Sequence, residues 1–262
     1  MARYKITLEY DGTRYAGWQL QKGEKTVQGA FFDACKVLFP NKKFEFYGAG
    51  RTDAGVHALE QIAHLDVLTD LSPQRIQYGL NDKLPHDINV LLVEPASPKF
   101  HARYDATARS YIYLISHRRS AFGKGNIWWV KDELSIEKMN RAAQLLQGFK
   151  DFKSFTDKDA ETESTKVDVL WVDILPVGDL TAIHVVGSHF LWKMVRRMVG
   201  VLVEAGRGKL NPADIEQFFN GRSEVPARLT APPSGLYLEQ VYYNKEQPKR
   251  GKTLVPQILR LR

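Results

Sequence analysis

The stretch Gly48-Ala49-Gly50-Arg51-Thr52-Asp53-Ala54-Gly55-Val56-His57-Ala58 gathers a carboxylate, a guanidinium, an imidazole and three glycines into eleven residues. Glycine lets a backbone take angles closed to other residues and approach a ligand closely. Arg51 and Asp53 stand two apart, so in an extended loop they project from one face. Such a carboxylate could attack an electrophilic carbon or move a proton. The same residues would also suit a plain turn, with Asp53 accepting backbone N–H groups and Arg51 neutralising it.

Other chemistries fit less well. Gly48-Ala49-Gly50 opens like a dinucleotide fingerprint, but its sixth position is Asp53, which would set a carboxylate where pyrophosphate must lie. Gly208-Lys209 lacks the rest of a phosphate loop, with Leu210 in place of Ser or Thr and Val203 in place of the first glycine. No His-Glu-x-x-His or Gly-x-Ser-x-Gly occurs, and on a regular strand His184 and His189 would point to opposite faces. Neither a metal nor a small-molecule cofactor is expected.

The elements that must carry this loop follow from periodicity. Tyr4 to Tyr10 alternates as a strand and ends at Asp11-Gly12. Thr26 caps a helix with Val27, Ala30, Phe31, Ala34 and Leu38 on one stripe. Strands over 44–47, 61–68 and 87–93 surround a helix opened by Pro73. The second half reads similarly: a strand over 109–116, a helix capped by Ser135 and ending at Gly148, and strands over 167–175 and 182–190. A long helix from Leu191 to Ala205 follows, then a shorter one from Asn211-Pro212 to Gly221, and a strand over 235–243. Apart from that extra helix, each half has the order βαββαβ, which implies an α+β chain of two ferredoxin-like halves with antiparallel sheets. The expected units are 1–105, 106–245 and a basic tail, 246–262.

Composition points the same way. The 262 residues hold 37 Lys+Arg against 30 Asp+Glu, a surplus that suits a polyanionic partner without requiring one. After Glu246 no acid remains, while Lys249, Arg250, Lys252, Arg260 and Arg262 follow. Between Lys99 and Arg119, bases alternate with Phe100, Tyr104, Tyr111 and Tyr113, a mixture that serves phosphate neutralisation and base stacking or simply a half-buried strand. Cys35 is the sole cysteine, so no internal disulfide is possible. The chain begins without the apolar core of a signal peptide, and no run approaches the roughly 18 apolar residues of a membrane helix. A cytoplasmic protein with no membrane partner is expected.

Gly50-Arg51-Thr52-Asp53-Ala54-Gly55-Val56-His57-Ala58 resembles the signature loop of the TruA family of tRNA pseudouridine synthases. Further motifs resemble the same family in the right order: Tyr10-Asp11-Gly12 with Gly17-Trp18-Gln19, Thr26-Val27-Gln28-Gly29, Phe100-His101-Ala102-Arg103, and Ala106-Thr107-Ala108-Arg109 with Tyr111-Ile112-Tyr113. So do Phe190-Leu191 with Met194-Val195-Arg196, and Ala231-Pro232-Pro233 with Gly235-Leu236-Tyr237-Leu238. One departure is Ser164-Thr165-Lys166-Val167, where the family has Ser-Pro-Val-Arg.

The resemblance implies a pseudouridine synthase fold whose sheets line a central RNA-binding cleft. It implies uridine-to-pseudouridine isomerisation at positions 38 to 40 of the tRNA anticodon stem-loop, by a homodimer and without cofactor. Asp53 would be the nucleophile, with attack on C6 of the base or C1′ of the sugar both left open. Arg51 would fill the space left by the extruded base, Tyr111 would stack on the flipped uracil, and Arg196 would be the charge partner of Asp53. Arg197 and Lys193, on other helix faces, suit phosphate contacts. Two rival readings are a non-catalytic RNA-binding protein with two RRM-like domains, and a glycosidase using Asp53 with Glu60 or Asp66.

Overall fold

The computed structural model describes residues 1–157, 164–244 and 246–250. Its elements are β1 (Ala2–Tyr10), α1 (Val27–Leu38), β2 (Phe44–Gly48), β3 (His57–Val67), α2 (Pro73–Asn81), β4 (Ile88–Ala96), β5 (Ala106–Ser116) and β6 (Trp128–Trp129). They continue with α3 (Ile136–Leu145), β7 (Gly148–Asp151), β8 (Lys166–Val177), β9 (Leu180–Gly187), α4 (Met194–Gly206), α5 (Pro212–Asn220), α6 (Val225–Arg228) and β10 (Leu236–Tyr243). The architecture is α+β with mostly antiparallel strand pairing.

Two compact units emerge. The first holds Met1–Thr107 and Tyr237–Gln247; the second holds Ala108–Leu236 and, among the described residues, 248–250. The closing strand, grouped with 106–245 on sequence, therefore lies in the first unit. Tyr237 and Leu238 run parallel to His57 and Ala58, and the Tyr243 hydroxyl donates to the Ala102 carbonyl at 2.6 Å. Pairing between residues so distant in sequence leaves no local signal. Residues 251–262 of the expected basic tail lie outside the described residues.

In the first unit the antiparallel order is β4-β1-β3-β2. Alternation along β1 buries Tyr4, Ile6, Leu8 and Tyr10. The helices cover that face: Phe31 of α1 stacks on Phe46 of β2 with centroids 3.8 Å apart. Helix α1 forms where predicted because Thr26 accepts from the Gly29 N–H and satisfies one of the unpaired donors of the first turn.

In the second unit β9 lies between β5 and β8, and β7 pairs with β8. The core includes Ile112, Leu114, Ile183 and Val185 from the strands with Met198, Val201 and Leu202 from α4. Ser135 caps α3 by accepting from the Lys138 N–H, but the helix ends at Leu145 and Gly148 instead starts β7. Helix α4 begins at Met194 rather than Leu191, because Lys193 takes a left-handed backbone angle, φ +59.

Candidate active site

Five backbone and side-chain contacts pin the Gly48–His57 connection between β2 and β3. The Ala49 N–H donates to the Ile62 carbonyl (2.7 Å), and Gln61 Nε2 donates to the Gly50 carbonyl (3.0 Å). The buried Thr52 hydroxyl shares a 2.8 Å hydrogen bond with Tyr10, while its carbonyl accepts from the Trp18 N–H at 3.0 Å. Next, the Val56 N–H returns to the Asp53 carbonyl (3.1 Å), closing a turn in which Gly55 has φ +76. Arg51 on this loop is exposed and Asp53 is half-buried.

A second layer fixes the frame around that turn. Gly12 lies so close that an added Cβ would sit 1.9 Å from the Val56 carbonyl oxygen. Its N–H donates to His57 Nδ1 at 3.1 Å, and the buried His57 ring stacks on Tyr237 at 4.6 Å. Asp11 Oδ1 is also 3.1 Å from Nδ1, but it accepts from the Thr13 N–H and hydroxyl. A ring nitrogen that takes a hydrogen bond from Gly12 has no hydrogen to give, so at Nδ1 the bonded partner is the Gly12 N–H. Trp18, buried between Tyr10 (6.0 Å) and Phe46 (5.8 Å), carries the loop's backbone contact into the core. The Tyr15 hydroxyl donates to Asp87, and burial together with that carboxylate raises its pKa. It is therefore a structural phenol.

The second unit places Tyr111 on β5, half-buried, with Phe190 edge-on at 5.2 Å. Tyr113 points into the core and donates to the Pro232 carbonyl (2.8 Å), which gives that tyrosine a packing role. Arg196 Nε donates to the Ala231 carbonyl at 2.8 Å, and the Ala231 N–H returns to the Arg196 carbonyl at 3.0 Å. This reciprocal pair ties the first turn of α4 to Ala231.

Arg197 corrects the sequence reading. Its side chain is 4% exposed and pairs with Asp157, whose carboxyl it holds below the usual carboxylate range. Lys193 shares Asp157 at 3.3 Å. Met194 and Val201, three before and four after Arg197, are both buried, so this arginine occupies the helix's apolar face. That spacing was visible in the sequence. Asp66, considered as a second glycosidase acid, is committed to Arg3, and Glu60 has its pKa raised by burial and by the charge of Glu239. Among the described residues no cluster of three His, Cys, Asp or Glu could hold a metal, and no helix is long and apolar enough to cross a membrane.

The loop and the contacts that frame it fall inside segments with known counterparts. A profile of the tRNA pseudouridine synthase family matches residues 6–105 and 142–244. The chain belongs to that family. Proteins named tRNA pseudouridine synthase A are similar along nearly the whole length. The Nitrobacter winogradskyi protein is 41% identical over 253 residues, covering 95% of this chain and 99% of the relative. That of Rhodopseudomonas palustris is 41% identical over 246 residues, covering 93% and 100%. The more distant Geobacillus kaustophilus protein is 38% identical, covering 93% and 95%. Membership makes the chain an isomerase. Tyr10, Gly12 and His57, which hold the loop, stand in the sequence as motif positions without assigned tasks, and Gln61 only as the start of a strand.

Proposed function

We propose that this pseudouridine synthase isomerises uridine in the anticodon stem-loop of tRNA, at positions 38 to 40, with Asp53 as nucleophile. The carrying observation is the Arg51–Gly55 loop, held at both ends by buried partners while Arg51 remains in solvent. Preorganisation of this type lets a carboxylate meet a reacting carbon without first ordering the chain. In the reaction C1′–N1 breaks, the uracil turns, and C1′ joins C5. The hydrogen leaves C5 and N1 takes a proton, so atoms balance without cofactor.

A paired uridine must first leave its stack, at a cost of a few kcal/mol. Arg51, exposed on the loop, suits the role of filling the vacated space. Tyr111 suits stacking on the extruded uracil, since its half-buried ring is braced edge-on by Phe190. Arg196 supplies a cation whose direction is set by Ala231. The ferredoxin-like reading of the halves is supported by the β4-β1-β3-β2 order in the first unit. A homodimer working in the cytoplasm completes the proposal, on family resemblance.

The test is incubation with tRNA carrying tritium at C5 of uridine. Release of tritium from tRNA with uridine at positions 38 to 40 is the expected result. No release from any tRNA with an anticodon-stem uridine would overturn the proposal.

A further inference from the structure

Trp192 is 45% exposed. The segment that carries it is built rather than loose. The Trp192 carbonyl accepts from the Thr156 hydroxyl at 3.1 Å, and the next residue, Lys193, holds φ +59. A left-handed lysine is strained, and strain of this kind persists only where surrounding contacts impose it. Its effect is to turn the chain sharply into α4 and leave the indole outside. The Lys193 ammonium then lies 4.1 Å from the centre of the Trp192 ring and 3.3 Å from Asp157.

A half-exposed ring with a cation over one face leaves stacking to its other face, and that pairing fits a ligand that is itself planar and anionic. Nucleotides have that chemistry: every base offers a π-face and every linkage a phosphate. Position in the second unit supports the same ligand. Phe190, which braces Tyr111, is two residues from Trp192, a span of at most about 7 Å. Arg196 follows four residues later on α4.

We propose that Trp192 is a stacking platform for an unpaired base beside the modified uridine in the substrate RNA, with Lys193 taking the adjoining phosphate. The inference rests on the functional reading above, in which Tyr111 receives the uridine itself. It assigns Trp192 to binding rather than chemistry, so its loss acts on KM and Kd more than on kcat.

The experiment uses the full chain and an anticodon stem-loop hairpin, with 2-aminopurine placed on either side of the target uridine. Three proteins are compared: wild type, Trp192→Leu and Trp192→Phe. Leucine keeps apolar bulk without a ring; phenylalanine keeps a ring. For wild type, 2-aminopurine emission at one flanking position is expected to be quenched on binding. For Trp192→Leu the quenching is lost and Kd rises roughly 5- to 140-fold, the range of a lost base–aromatic stack. Trp192→Phe recovers most of the affinity, and saturated tritium release is similar in all three. Equal affinity and quenching in all three proteins, or equal weakening by Leu and Phe, overturns the inference. Tritium release by wild type in the same samples separates the two claims: its presence leaves the isomerase reading standing when the platform fails, and its absence removes both.

Discussion

Replacing Gly12 by alanine would strike the proposed catalytic loop from behind. The new Cβ would lie 1.9 Å from the Val56 carbonyl oxygen, whereas real Cβ contacts essentially never fall below 3.0 Å. One side must therefore retreat by more than 1 Å. The Gly12 side is held: Tyr10 pairs with Ala58 and Ile88, and the Asp11 N–H donates to the Asp87 carbonyl at 2.9 Å. Val56 is tied by its own N–H to the Asp53 carbonyl, so a shift there passes to the proposed nucleophile. Misplacement of a reacting group by about 1 Å can lower a rate ~100-fold, about 2.7 kcal/mol of barrier. Overpacking adds about 1–3 kcal/mol of lost stability. The assay is single-turnover tritium release with enzyme in excess over tRNA, alongside filter binding and a melting curve. Gly12→Ala is expected to slow release ~100-fold while tRNA binding persists. Gly50→Ala, where an added Cβ meets nothing within 4 Å, is the stability control and melts like wild type. A wild-type release rate in Gly12→Ala would refute the claim that loop position governs the chemistry.

Three further outcomes follow from the same contacts. Tyr10→Phe removes a buried partner of the Thr52 hydroxyl and is expected to cost about 1–2 kcal/mol, a melting shift of roughly 2–8 °C. Arg197→Gln breaks a largely buried ion pair with Asp157; melting temperature falls while the salt dependence of tRNA binding keeps its slope. His64 accepts from the Ala102 N–H, and burial, with the charge of Arg3 and the neighbouring His101, lowers its pKa from 6.5 to about 4. A depressed histidine contributes stability that is present above pH 6.5 and lost as pH falls toward 4, because only the unfolded chain is protonated across that window. Melting temperatures measured from pH 7 to 4.5 are expected to fall, and less steeply in His64→Gln.

Much of the fold was legible because its signals are local. Thr26, Ser135 and Asn211 announce helix starts by side chains that cap the first turn, and each does so here. The short β6 and β7 escaped notice, since two or four residues cannot establish a period. Helix α4 was placed too early because nothing in Leu191-Trp192-Lys193 warns of a left-handed lysine. In the candidate site, the loop could be read as a unit, but its supports could not. Tyr10 reaches Thr52, and Gly12 reaches His57, through the β1–β3 register, which shifts between Leu8 and Tyr10. Register is a tertiary property, and a bulge changes which residues meet without altering the alternation before it. Arg196 and Arg197 differ by the reverse argument: helical spacing alone sends Arg197 toward Met194 and Val201, and the structure buries it there.

The central claim is that the Asp53 carboxylate does the chemistry. Asp53→Asn keeps the size of the side chain and removes its charge, so single-turnover tritium release from C5-labelled tRNA, measured beside tRNA binding, isolates that one property. The account predicts binding close to wild type and no release above the background without enzyme. Release by Asp53→Asn at the wild-type rate would contradict it.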